Sequence, residues 1–426
     1  MNQDIYNAYV RVLKKELVDA LGCTEPIAIA YASAKARDVL GDMPEQLEVY
    51  CSGNIIKNVK GVTVPHSGGQ RGIEVAALLG ALSANSEAGL AVLETITEED
   101  RELCEQLLHD KVCQTGLVEN VPNLYIRIVA HKGESSSEVI IRNTHSNIVY
   151  LRKNDEVRYE APVSESAATE QDDKSLLSVK DILEFADTAD LADVEDVLRR
   201  QMKLNMAIAE EGLKHNYGAR VGQTILQHQP PTVFNKARAF AAAGSDARMS
   251  GCALPVVINS GSGNQGITVS VPVMVYAKEE GIPEEILLRA LIVSNLIALH
   301  QKRYIGSLSA YCGATSAACG SACGIAYLMG FDYEGIGDII TNTIATVGGM
   351  VCDGAKSSCA AKIATALDCA FLSLQMAKND RQFKAGEGLV KEDVEKTIAC
   401  VGHMGRVGMY STDVEILNLM LDKVEL

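Results

Sequence analysis

The sequence predicts an α+β protein, in which a mainly helical domain carries a smaller inserted module of antiparallel strands and helices. Apolar residues recur at spacings of three and four through most of the chain, as on the buried face of a helix. Alternating or β-branched runs, separated by Gly and Asn turns, are concentrated between residues 87 and 162. After residue 175 the patterns are almost wholly helical, with many closely spaced Ala, Gly and Ser residues.

Residues 1–86 are predicted to form the N-terminal part of the helical domain. Apolar positions with a helical period indicate helices, Gly22 is expected to end the first of them, and alternating positions indicate strands. The predicted elements are, in chain order, a helix at 5–21, a helix at 24–40, strands at 47–51 and 55–59, and an Ala- and Leu-rich helix that ends near residue 82.

The α+β module is predicted to cover residues 87–162. It is expected to contain a helix near 98–110 followed by antiparallel strands at 124–130, 138–142 and 148–151. Residues 163–174 are polar and lack periodicity, which predicts a surface linker.

Residues 175–426 are predicted to form the helical, cysteine-rich part of the main domain. Its strongest apolar run, Leu287–Leu299, is shorter than the roughly 20 residues that span a bilayer and contains Arg289 and Asn295. This run is therefore predicted to be a buried helix.

The composition of the chain indicates which kinds of binding partner, cellular location and cysteine chemistry to expect. The formal net charge of −16 is spread along the chain, which argues against nucleic acid or an anionic membrane and favours small metabolites. The first 20 residues form an amphipathic charged stretch without the apolar core of a secretory signal, so a cytoplasmic location is expected. Twelve cysteines in a reducing compartment are expected to pack, bind metal or react, and not to form disulfides.

Three of the cysteines lie close together in the helical half. If the chain from Cys312 to Cys323 is one helix, Cys312, Cys319 and Cys323 share one stripe of it. At a rise of ~1.5 Å per residue, Cys312 and Cys319 are about 10 Å apart along the axis. This helix is therefore expected to supply one ligand to any compact metal cluster.

A second group follows in the segment Cys352–Cys359. Both thiols can reach one cluster only if the intervening residues turn, and Gly354 permits such a turn. Soft thiolates suit iron–sulfur clusters, zinc or copper(I), but no CxxC pair or nearby histidine indicates a zinc finger. Spacing alone leaves open both metal binding and burial as small apolar residues.

Cys23 has a different setting, in the segment GCTEP between two predicted helices. Thr24 suits a helix cap and Pro26 suits the first turn. A helix N-terminus favours the thiolate form of a nearby cysteine. Cys23 is therefore a candidate nucleophile, base or ligand, with ordinary packing between helices as the alternative.

The segment NSGSGNQG, residues 259–266, precedes another predicted helix. Its Gly and Ser residues can form a concave row of backbone N–H donors that binds a carboxylate or phosphate, or they can form a plain flexible turn. His66 precedes a predicted helix and is a candidate to face an anion or to cap that helix. Lys302 and Arg303 can supply positive charge near Cys312, or form a solvated helix end.

Four segments together resemble the L-cysteine desulfidase family, which is related to the alpha chain of iron–sulfur L-serine dehydratases. They are ALGCTEPIAIAYA, NSGSGNQGI, SLSAYCG and GMVCDGAKSSCAAKIA, and the match spans residues 21–359. The segment DVEILNLM near the end is also similar. These motifs are long and specific. The resemblance implies that the helical domain is catalytic and that it carries out β-elimination with a [4Fe–4S] cluster and without pyridoxal phosphate.

The resemblance also implies roles for individual residues. Cys312, Cys352 and Cys359 would hold three irons of the cluster, and Cys23 would be the base that removes the Cα proton. The substrate, a small L-amino acid, would place its carboxylate on the glycine-rich segment. The implied substrate-binding residues are Asn259, Ser260, Gly261, Ser262, Gly263, Asn264 and Lys302.

Three interpretations follow. The first is a lyase that converts L-cysteine to pyruvate, ammonia and sulfide, or L-serine by the same mechanism. The second is a non-catalytic iron–sulfur or thiol sensor, for which the sequence lacks a basic helix-turn-helix pattern. The third is a pocket that binds another carboxylate, with the cysteines used only in packing. The small-residue helical half is compatible with a homodimer.

Overall fold

The computed structural model describes residues 1–162, 173–306 and 308–424. It confirms the α+β class, with long helices and two small sheets. The predicted linker at 163–174 lies, apart from its last two residues, outside the described part of the chain.

The N-terminal segment alternates helices with two strands. Its elements are α1 (Gln3–Glu16), β1 (Asp19–Leu21), α2 (Thr24–Leu40), β2 (Gln46–Cys51), α3 (Gly53–Val59) and α4 (Ile73–Ser83). The helix predicted at 24–40 and the strand predicted at 47–51 are confirmed, and the predicted Ala- and Leu-rich helix is α4.

Two details of the prediction are wrong. The first helix ends at Glu16, because residues 19–21 leave it to pair with a strand near residue 256. The segment 55–59 is the helix α3, and its apolar side chains Ile55, Ile56 and Val59 are buried together. A short apolar run fits a buried helix as well as a strand, so periodicity alone could not separate them.

The strand module is a six-stranded sheet in the order β3-β2-β4-β5-β6-β7. Its further elements are α5 (Glu98–His109), β3 (Cys113–Leu117), β4 (Tyr125–Lys132), β5 (Ser135–Arg142), β6 (Ile148–Lys153) and β7 (Glu156–Glu160). The pairs from β2–β4 onward are antiparallel, whereas β2 and β3 are parallel. The sheet therefore includes β2, which lies before residue 87.

The second half is a helical bundle. Its elements are α6 (Val179–Thr188), α7 (Glu195–Lys214), α8 (Val221–His228), α9 (Val233–Met249), β8 (Pro255–Val257), α10 (Gly263–Glu279), α11 (Glu284–Ile305), α12 (Gly313–Leu328), α13 (Tyr333–Val347), α14 (Cys359–Ala377), α15 (Val394–His403) and α16 (Tyr410–Met420). The apolar run 287–299 lies in α11 and is buried, as predicted.

The described residues form two large hydrophobic cores. One joins α1 to the helical bundle, and the other joins α2, α3 and α4 to the sheet. Among the described residues, α14 is the one helix with the length and hydropathy of a membrane span, but half of it is buried in the protein. Core helices of globular proteins share this character.

A buried amide network fixes the chain around β8. Asn205 on α7 donates to the Val257 carbonyl (3.0 Å), and its side-chain oxygen accepts from the Val257 N–H (2.8 Å). Next to it, Asn259 donates to the Asn295 side chain (3.0 Å), which also exchanges hydrogen bonds with Gln201. Asn205, Asn259 and Asn295 are fully buried, so they hold the start of the 259–262 turn in one place.

We predict that Asn205→Ala lowers the free energy of unfolding by about 2–4 kcal/mol, because two buried backbone groups of Val257 lose their partner. The urea midpoint measures this change. Lys203→Ala, at an exposed position of the same helix, is the control and should change stability by about 0.5 kcal/mol or less. Equal effects of the two substitutions would contradict the role of the network.

Candidate functional site

A cavity of about 340 Å³ lies where the two cores meet. Small-molecule sites are typically about 300–1,000 Å³. Cys23, Cys312, Cys352 and Cys359 all line this cavity. A larger cavity of about 600 Å³ shares Lys57, Arg303 and other residues with it, but none of its described lining residues is a cysteine.

Backbone pairing brings Cys312 and Cys352 to the same wall. The Cys312 N–H donates to the Met350 carbonyl (2.9 Å), and the Cys352 N–H donates to the Ala310 carbonyl (2.6 Å). Between them, Tyr311 and Val351 form an antiparallel bridge. Residues 310–312 and 350–352 therefore lie side by side, although they are distant in sequence.

Cys359 reaches the same wall through a turn. Gly354 has a φ of 93°, and a Cβ there would lie 2.0 Å from the Lys57 carbonyl oxygen, so only glycine fits. The chain then enters α14 at Cys359, whose thiol donates weakly to the Gly354 carbonyl (3.6 Å). By contrast, Cys319 and Cys323 are fully buried within α12 and do not line the cavity.

The thiols of Cys312, Cys352 and Cys359 are half-buried. They lie near enough to one another that the charge of one affects the pKa of another. Burial and, to a smaller extent, the neighbouring Cys352 and Cys359 raise the pKa of Cys312 to about 12, because a second negative charge nearby is unfavourable. Burial likewise raises the pKa of Cys359, and Cys352 adds to this effect. A bound metal cation offsets the cost of burying these thiolates and the repulsion between them, because cysteine binds metal as the thiolate.

The three cysteine thiols are the ligand type that holds iron–sulfur clusters. In the described ranges, no three His, Cys, Asp or Glu side chains are close enough to hold one metal ion. A cubane cluster has its irons at separate corners, so its thiolates lie farther apart than the ligands of one ion. Cys312 caps α12 and Cys359 begins α14, and helix N-termini favour thiolates.

Cys23 lies at the N-cap of α2, one position before Thr24, which was predicted to be the cap. It is 1% exposed. Burial raises the pKa of its thiol to about 12, and the neighbouring Arg248 guanidinium opposes this shift by its charge and a hydrogen bond. The Cys23 side chain also packs in a small cluster with Cys359.

Arg248 joins the motif segments. Its Nη2 donates to the Gly22 carbonyl (2.7 Å), and its Nη1 lies 3.4 Å from the Asn264 side-chain oxygen. Its Nε is buried without a hydrogen-bond partner in the described structure. A Cβ at Gly263 would lie 2.3 Å from this Nε, so Gly263 is needed for the close approach of the guanidinium.

The glycine-rich segment is a tight turn followed by a helix. Asn259 and Ser262 exchange backbone hydrogen bonds (3.2 and 3.1 Å), and Ser260 and Gly261 between them have φ values of 51° and 73°. Of the implied substrate-binding residues, those whose side chain or backbone lines the cavity are Ser260, Gly261, Ser262, Asn264 and Lys302. Asn259 is held in the amide network, and Gly263 lies under Arg248.

Cationic side chains outnumber carboxylates on the cavity wall, although the protein as a whole is acidic. Six cationic side chains line it, against the two carboxylates of Glu16 and Glu25. Lys302, at the end of α11, is 6% exposed. Burial lowers its pKa to about 8, although the nearby Cys352 and Cys312 oppose this shift. Such a cavity attracts anionic groups.

Two other basic candidates differ in outcome, since Arg303 lines the cavity and can supply positive charge there, whereas His66 does not line it. The His66 side chain lines neither described cavity, and the helix that follows is capped at Gly72. Arg303 is no solvated helix end, since it donates to the carbonyls of Lys174, Ser175 and Leu177 (2.8, 2.6 and 3.0 Å).

Among the residues on the cavity wall that sequence reasoning missed are Arg248, His145 and Glu25. Arg248 lies in an Ala-rich helix, and His145 lies in the turn between β5 and β6. Glu25 stands in the GCTEP segment itself, where its position beside Cys23 was an available signal.

The sequence matches the model of the serine dehydratase alpha chain over residues 87–418. This range includes Cys312, Cys352 and Cys359, whereas Cys23 and Glu25 precede it.

Curated relatives cover nearly the whole chain. A UPF0597 protein of Finegoldia magna is 48% identical over 97% of this chain and 99% of its own length. UPF0597 proteins of Treponema denticola and Lachnoclostridium phytofermentans are 47% and 49% identical, over 99% and 98% of this chain and 99% and 100% of their own lengths. With the family match covering most of the chain, the protein belongs to the serine dehydratase alpha chain family.

Proposed function

We propose that the protein is a lyase that eliminates the β-substituent of a small L-amino acid, with a [4Fe–4S] cluster held by Cys312, Cys352 and Cys359. L-Cysteine is the preferred substrate, and the products are pyruvate, ammonia and sulfide. The observation that carries the proposal is the convergence of the three thiols on one cationic cavity. Family membership supports a serine dehydratase-like lyase, and the motif resemblance supports L-cysteine.

The turn at 260–264 and its cationic neighbours suit the substrate carboxylate. Ser262 offers a hydroxyl group, while the Ser260 hydroxyl donates to the Asn259 side chain, and the N-terminus of α10 favours negative charge. Arg248 and Lys302 add positive charge from the same wall. Together these groups hold the carboxylate and so orient the Cα–H and Cβ bonds of the substrate.

Cys23 is the proposed base. Its thiolate takes the Cα proton, the electrons of the C–H bond form the Cα=Cβ double bond, and the Cβ–S bond breaks to release sulfide. When bound, a cluster with one iron free of protein thiolate supplies a Lewis acid for the leaving group. The aminoacrylate product becomes an imine, which water hydrolyses to pyruvate and ammonia. Arg248 stabilises the thiolate of Cys23 during the cycle.

L-Serine is the second candidate substrate, and the description of the matching family favours it. The same base and carboxylate site serve both amino acids, with water leaving in place of sulfide. A thiolate binds a soft iron centre more strongly than a hydroxyl oxygen does, which favours L-cysteine in this cavity.

Anaerobic, cluster-reconstituted enzyme is expected to form pyruvate from L-cysteine faster than from L-serine, because sulfur is the better ligand for the cluster. A lactate dehydrogenase-coupled assay measures pyruvate from both amino acids under the same conditions. Faster turnover of L-serine would show that L-serine, and not L-cysteine, is the preferred substrate. Absence of pyruvate from both would contradict the lyase proposal.

Cys23→Ala is expected to lower the rate of pyruvate formation at least about 100-fold while iron content and visible absorption stay unchanged, because a general base contributes about 10²–10⁴-fold. The control is Cys104→Ala, which removes a thiol buried in the strand module and should retain most of the rate. Loss of iron from the Cys23 variant would show that this residue is a ligand and would contradict its role as base.

A further inference from the structure

The turn between β5 and β6 places three consecutive residues, 143–145, on the cavity wall. The turn has a fixed conformation. The Asn143 N–H donates to the Leu124 carbonyl (3.0 Å), and the Thr144 N–H donates to the Arg142 carbonyl (2.8 Å). The Asn147 side chain donates to the same Arg142 carbonyl (3.0 Å). The strand module therefore contributes a preformed segment to a cavity that otherwise belongs mainly to the helices.

His145 carries an unused hydrogen-bonding atom in this segment. Its Nε2 is inaccessible to solvent and has no partner in the described structure. Burial lowers the pKa of the imidazole, and the nearby Glu25 carboxylate opposes this shift. The ring is thus neutral near pH 7 and can present one nitrogen as an acceptor. Buried polar atoms normally have partners, so this atom lacks one that a ligand can supply.

Glu25 provides a negative charge beside His145. Its carboxylate accepts hydrogen bonds from the neutral side chains of Asn58 (3.2 Å) and Thr24 (3.4 Å). It forms no ion pair with any described side chain, whereas Glu16, the other carboxylate on the wall, is paired with Lys174. Glu25 is therefore the carboxylate of this cavity that can receive a cationic ligand group.

We propose that Glu25 and His145 form the subsite for the α-ammonium group of the amino acid substrate. This inference rests on the proposed substrate class and deepens it. The positive charge of an ammonium group neutralises the Glu25 carboxylate, which accepts one of its three N–H donors. His145 Nε2 accepts another. Glu25 follows the proposed base by two residues, so the subsite holds the amino group next to the Cα–H bond that breaks.

The subsite explains how the cavity selects amino acids. A cationic wall alone would bind any small carboxylate, such as a hydroxy acid or a fatty acid. A ligand without an ammonium group leaves the Glu25 carboxylate without a counter-ion and His145 Nε2 without a donor. The subsite therefore disfavours such ligands. Selection at Glu25 and His145 is thus separate from recognition of the substrate carboxylate.

Binding of L-alanine and propionate tests the subsite without turnover, because neither compound has a leaving group at Cβ. Isothermal titration calorimetry of the anaerobically purified full-length chain is expected to give an affinity at least about tenfold higher for L-alanine than for propionate. Glu25→Gln and His145→Asn are each expected to lower the affinity for L-alanine at least about tenfold and not to lower that for propionate.

Glu16→Gln is the matched control, because it makes the same change at the paired carboxylate and should keep the preference for L-alanine. Circular dichroism checks that each variant folds, and the turn residue His145 offers a second test if the Glu25 variant does not. A preserved preference in Glu25→Gln and His145→Asn, a loss of similar size in Glu16→Gln, or no preference in the wild type would overturn the subsite. A normal preference without pyruvate formation from L-cysteine or L-serine would support the subsite and contradict the lyase proposal.

Discussion

The candidate site depends on the backbone pairing of residues 310–312 with 350–352. Two hydrogen bonds and one antiparallel bridge place Cys312 beside Cys352, although 40 residues separate them. The turn at Gly354 then returns the chain so that Cys359 faces the same cavity. Successive turns of one helix could not bring three thiols around a compact cluster, since the axial rise separates them. The two paired segments solve this problem, and Cys312 and Cys359 in addition lie at helix N-termini, which favour the thiolate form.

Arg248 has a comparable role for the rest of the cavity. Burying a guanidinium is costly unless its donors find acceptors; here Nη2 and Nη1 reach the Gly22 carbonyl and the Asn264 side chain, whereas Nε has no partner in the described structure. These partners belong to the two motif segments that carry the proposed base and the proposed carboxylate site. The requirement for glycine at 263 follows from the same contact. One buried charge thus positions two parts of the site and raises the local positive potential in an acidic protein.

Much of the fold could be predicted from periodicity. The helix at 24–40, the strand near 47–51 and the buried helix around 287–299 follow from patterns long or regular enough to be unambiguous. The segment 55–59 was too short for that distinction and is helical. The cysteines on the cavity could be proposed from motif resemblance, and their role as ligands stays a prediction. Arg248 and His145 could not, because an arginine in an Ala-rich helix and a histidine in a polar hairpin turn resemble surface residues until the fold places them.

The central claim, that three cysteines from separate segments hold one cluster, is tested most directly by iron and acid-labile sulfide in the anaerobically reconstituted protein. The wild type and Cys319→Ser, which alters a thiol buried away from the cavity, should each contain about four of both per chain. Cys359→Ser should lose most of both, because one thiolate ligand is gone. Iron-free wild type after reconstitution, or equal cluster content in Cys359→Ser and Cys319→Ser, would contradict the account.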